Sequence, residues 1–136
     1  MSVQRIRWRN RAGQALVEFV LIAPILLLLL FGIIEFARGW NIRHVVTDAA
    51  RESARHLVIH HDVSAATVVV NQALTSAGLN PANATVNITG NAGTQGQPAT
   101  VSIRYPYQLG PTRLLLGWAV QDGTINIGTT FVMRNE

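Results

Sequence analysis

The pattern of apolar and polar positions changes period twice along the chain. From residue 19 to residue 34 there is no charged side chain, and thirteen of the sixteen residues are Leu, Ile, Val or Phe. A helix over residues 15–34 rises about 30 Å, the thickness of a bilayer's hydrocarbon layer. Thirteen such side chains favour insertion by about 4 to 8 kcal/mol, against a penalty of at most about 3 kcal/mol for Glu18. A membrane-spanning helix is therefore predicted. Pro24, ten residues into the span, removes a backbone donor and frees the Val20 carbonyl, so a kink is expected there. Beyond Trp40 the helical period continues in amphipathic form. Val45, Val46, Ala49, Ala50, Ser53, Ala54, Leu57 and Val58 recur at spacings of three and four, an apolar stripe on one face. One helix from about residue 14 to residue 60 is the reading.

Asp62 or Ser64 is placed to cap a second helix that runs to about Ala77 and stops at Gly78 and Pro81. Val63, Val70, Ala73, Leu74 and Ala77 form its apolar side. The period then becomes two. Val86 and Ile88 alternate with Thr85, Asn87 and Thr89, residues 90–98 make a turn-rich linker, and Val101, Ile103 and Tyr105 alternate again. Pro106 is expected to weaken the end of that strand. Gly110 and Pro111 open a loop whose Leu114, Leu115, Leu116 and Trp118 form either an exposed apolar patch or, the preferred reading, a plug at the bottom of the core. Asp122 and Gly123 make a turn, and a third strand runs from Ile125 to Met133. The fold class is α+β: a long N-terminal transmembrane and amphipathic helix, a short second helix, and a small antiparallel sheet of about three strands. The apolar faces of both helices would cover one side of the sheet.

Charge orients the span. Arg5, Arg7, Arg9 and Arg11 precede it with no acid among them, which holds the head in the cytoplasm and sends everything after Trp40 outside. Trp8 and Trp40 read as anchors at the two interfaces. Removing residues 1–13 takes away four of the eleven cations and none of the seven acids. The basic balance thus reflects the head, and no nucleic-acid surface is expected. The chain has no cysteine, which excludes disulfides, thiol catalysis and Cys-ligated zinc. No set of residues has the spacing of a catalytic or phosphate-binding site, so neither an enzyme nor a cofactor is expected. His56, His60 and His61 with Asp62 are the one metal-like cluster; at a helix end they read as solvated turn histidines, and no metal is expected.

Two readings of Glu18 stay open: a carboxylate at headgroup depth solvated by water, or one that meets a charge from another chain or from a new terminus. Gly13, a small residue ahead of the span, is where a peptidase could cut. A basic leader, a Gly and then Glu-Phe opening a long apolar helix is similar to the processing site of type IV prepilins. The run Gly-Gln-Ala-Leu-Val-Glu-Phe at residues 13–19, followed by Asp48, Ala49, Ala50, Arg51, Glu52, Ser53, Ala54 and Arg55, resembles the TadE-like pseudopilins of tight-adherence (Flp pilus) systems. Gln14 stands where classical type IV pilins carry an N-methylated Phe. The resemblance implies a pilin-like layout of leader (1–13), transmembrane helix (14–36) and extracytoplasmic domain (37–136). It further implies cleavage between Gly13 and Gln14 by a prepilin peptidase and single-pass residence in the bacterial inner membrane. The implied role is in pilus assembly and adherence, with Glu18, beside Phe19, pairing with the free amine of a neighbouring subunit. The implied partners are an Flp-type major pilin, other TadE- and TadF-like pseudopilins, the assembly platform of the inner membrane and the lipid bilayer. For residues 48–55, a solvated face with small residues for packing and a subunit contact stand as equal readings. The alternative to the whole is an uncleaved, single-pass anchored protein with a periplasmic binding or scaffolding domain.

Overall fold

The computed structural model describes residues 11–90, 98–110 and 123–134, with side chains from residue 13 onward. Helix α1, Arg11–His60, spans 50 residues with Pro24 inside it, about 75 Å measured along its axis. Its first half is a bare shaft: Leu16 to Ile34 are exposed at almost every position, and none of the most apolar stretch is buried. Among the described residues this is one helix long and apolar enough to cross a membrane. The second half is amphipathic and carries the folded domain. Of the stripe expected from spacings of three and four, Val46, Ala49, Ala50, Ser53, Ala54 and Leu57 are buried and Val45 and Val58 half-buried, and Ile42 extends the buried face one turn toward the shaft. α1 ends at His61, whose φ of 56° lies in the left-handed region while its amide donates to the Leu57 carbonyl at 2.9 Å. This is the ordinary device for closing a helix.

Helix α2, Val63–Ser76, starts at Asp62, whose carboxylate accepts from the amides of Ser64 and Ala65. It closes at Gly78, φ 73°. Its buried residues are Ala66, Val70 and Leu74, spaced by four. Val63 and Ala77, expected on this face, are exposed instead: they sit at the two ends, where α2 has run past its neighbours. A single 3₁₀ turn, Pro81–Asn83, leads into the sheet.

Strands β1 (Thr85–Thr89), β2 (Pro98–Gln108) and β3 (Thr124–Arg134) form an antiparallel sheet in the order β1-β2-β3. The register sets Ile103 opposite Val86 and Thr129, and Tyr105 opposite Ile127. Odd-numbered residues of β2 and β3 consequently share the face turned to the helices. Val101, Ile103 and Tyr105 join Ile42, Val46, Ala50, Val70 and Leu74 in the main core, with Ile127, Phe131 and Met133 packed against it. α1 packs on α2, β2 and β3, and a second cluster of Leu57, Ala66 and Ala99 brings α2 to the sheet beside Ile88.

Two sequence expectations about β2 are corrected. Pro98 begins the strand, opposite Arg134, where the sequence suggests linker; a first-residue proline costs no ladder bond. Pro106 does not weaken the strand's end, since β2 continues to Gln108. β1 stops pairing at Arg104, so at Pro106 the strand is an edge on that side, where proline is tolerated. The core plug expected of residues 114–118 lies outside the described residues.

Candidate functional site

The residues singled out by sequence fall in three places on α1. At the free end of the shaft, Gln14 Nε2 donates to Glu18 Oε1 at 3.2 Å. Glu18 and Phe19 are exposed and stand apart from the folded domain. Among the described residues, the carboxylate is therefore met by its own helix, one turn back, through an amide. Pro24 lies mid-shaft.

In the domain, residues 48–55 divide by face. Ala49, Ala50, Ser53 and Ala54 are buried, and Ser53 Oγ donates to the Ala66 carbonyl of α2 at 2.9 Å. The small side chains let α2 and the sheet approach α1 within the chain itself. Asp48, Arg51, Glu52 and Arg55 face outward in two pairs, Asp48–Arg51 and Glu52–Arg55, each at 3.8 Å. Pairs this exposed contribute little to stability. Arg51 also sits 5.8 Å from the centre of the Phe131 ring. His56 and His60 stack at 4.1 Å, and His61 serves the helix end. No group of three or more His, Cys, Asp or Glu side chains able to hold a metal is found among the described residues.

The most elaborate polar arrangement lies elsewhere, at a residue the sequence pattern does not single out. Glu35, at the point where shaft meets domain, is only 7 % exposed. The Tyr107 hydroxyl donates to Glu35 Oε2, and the Gly110 amide donates to Oε1 at 2.8 Å. Both oxygens of a buried acid are thereby engaged, and such an acid would otherwise cost several kcal/mol. Tyr107's own proton is held tightly. Burial, then the hydrogen bond to Glu35 and the Glu35 charge, push its pKa up to about 12, with Arg38 opposing. A Cβ at Gly110 would lie 2.7 Å from Glu35 Oε1 and 3.4 Å from an Arg38 guanidinium nitrogen, so a larger residue there would push the Glu35 carboxylate out of its present position. The clasp ties the end of β2 to the base of the shaft, across more than seventy residues of chain. One sequence signal points to it: Glu35 is the one acid between Glu18 and Asp48, directly after an apolar run.

Residues 13–55 match a family model described as TadE-like protein. No curated protein and no solved structure matches the chain. The matched stretch begins at Gly13, takes in Glu18, the shaft and Glu35, and ends at Arg55, on the helix that carries both the apolar rod and the buried stripe. It points to a protein associated with the Tad pilus. Over residues 13–55, most of its long helix, the chain is similar to the TadE-like family.

Proposed function

We propose that this protein is a minor pilin or pseudopilin of a Tad (Flp) pilus system. Residues 14–36 hold it in the bacterial inner membrane, with the arginine-rich head in the cytoplasm and residues 37–136 outside. A prepilin peptidase cuts between Gly13 and Gln14, and the mature chain takes part in pilus assembly and adherence, alongside an Flp-type major pilin, other TadE- and TadF-like pseudopilins and the inner-membrane assembly platform. The observation that carries this reading is the bare apolar shaft with a single carboxylate at its start, continuous with the helix that forms the domain's core.

Cleavage would turn Gln14 into the first residue and create an amine one turn from Glu18. On a sister subunit the same amine is a cation able to neutralise Glu18 once both are out of water. An uncompensated buried charge costs about 3–5 kcal/mol, so a misregistered subunit is rejected. The Glu35 clasp would keep domain and shaft together as the subunit leaves the bilayer.

N-terminal sequencing of the membrane-extracted protein tests the reading: a mature chain starting at Gln14 is expected, and one starting at Met1 removes it. Glu18→Ala should leave membrane insertion intact and weaken pilus assembly; normal piliation would refute the pairing role. A Gly13→Ala protein of unchanged size and function would favour the uncleaved anchored protein instead.

A further inference from the structure

Beside the clasp a groove of about 500 Å³ opens at the junction of shaft and domain. Phe36, Trp40 and Arg43 line it from α1, with Leu109, Ile125 and Asn126 on the sheet side. Phe36 is 70 % exposed and Trp40 51 %. Their rings stack at 5.9 Å, so the apolar surface of the shaft continues into the groove. We propose that this groove binds an anionic phospholipid of the leaflet through which α1 emerges. The proposal rests on the membrane-spanning reading of the shaft.

Three observations support that occupant. The first is depth. Counted from Ile34, Phe36 lies about 3 Å and Trp40 about 9 Å further along the axis, against a headgroup layer of about 5–8 Å per side. Arg43 is one turn higher, but side chains on a helix tilt toward its N-terminus, so its guanidinium reaches back toward phosphate depth. The second is gradation. Gly39 faces Ile127 and Arg51 lies over Phe131, so β3 climbs away from the shaft as its numbering rises. Ile125 and Leu109 therefore lie at the shaft end, below Arg43: apolar where acyl chains begin, cationic where a phosphate would sit. The third is charge. Arg43 is exposed and makes no ion pair among the described residues. The groove's carboxylate, Glu35, is already bonded to Tyr107 and Gly110, and Arg38 stands beside it.

The test uses the full chain with Trp8→Phe and Trp118→Phe, which leaves Trp40 as the fluorophore. It is reconstituted in phosphatidylcholine vesicles containing phosphatidylglycerol, with a shallow quencher carried on one lipid or the other. Quenching should favour phosphatidylglycerol about fivefold over phosphatidylcholine. Arg43→Gln should abolish the preference and Arg43→Lys should keep most of it. Equal quenching by the two lipids, or an unchanged preference in Arg43→Gln, overturns the proposal. Quenching that appears only as protein is diluted in lipid also overturns it, in favour of a second copy of the chain in the groove. No quenching at any dilution by shallow or deep quenchers would instead remove the membrane-spanning reading itself.

Discussion

Removing the Tyr107 hydroxyl tests whether the Glu35 clasp holds the domain to its shaft. In Tyr107→Phe, Glu35, 7 % exposed in the wild-type fold, would keep the Gly110 amide but lose the donor on Oε2. A hydrogen bond to a charged group contributes about 1.5–3 kcal/mol, and the partner left behind here is a buried carboxylate. The pKa rise, caused first by burial and only then by Glu35, sets a ceiling. From 10.0 to about 12 it is worth at most about 2.7 kcal/mol, and the partial exposure of the ring reduces this to about 1–2 kcal/mol. The expected loss at pH 7 is therefore about 1.5–2 kcal/mol, which for a domain of this size lowers the thermal midpoint by about 6–16 °C.

The pH dependence has a definite sign. The folded-state pKa is raised, so the contribution is fully present below the unfolded value near 10 and is lost as pH climbs through about 12. Thermal unfolding of the full chain in detergent, wild type against Tyr107→Phe, should show a gap that is constant from pH 7 to 9 and closes between 10 and 12. Tyr105 is common to both proteins and cancels in the difference. Equal midpoints at pH 7, or a gap that persists undiminished to pH 12, would refute the clasp.

Other substitutions read the remaining contacts by the same melting experiment. Ala50→Leu overfills a fully buried position between α1 and the core and should cost about 1–3 kcal/mol; an unchanged midpoint would mean that the close approach is not required. Asp62→Ala removes the cap of α2 and should cost about 0.5–2 kcal/mol, with α2 amides exchanging faster by NMR. Asp48→Asn breaks an exposed pair and should change stability by less than about 0.5 kcal/mol; if it nonetheless lowers piliation, the outer face of this run contacts another subunit.

Much of the architecture is local and legible in the order of residues alone. The shaft, the stripe from Val46 to Leu57 and the three strands follow from periods of 3.6 and 2, because those patterns decide which side chains share a face, while the choice of Asp62 over Ser64 as the cap of α2 came from the structure. Glu18 and Gly13 are equally visible, as a charge and a small residue at the edge of an apolar run. Tertiary structure alone decided the partners across long separations. Nothing in the period of β2 says that Tyr107, the next odd position after Tyr105, reaches past the core to an acid seventy-two residues earlier. That contact depends on the phase of α1 over the sheet and on where β2 ends. The same holds for residues 48–55, whose small side chains suit a contact within the chain or between chains equally well. Only the packing of α2 and the sheet showed that the buried half of the run is used within the molecule, leaving its charged half outside.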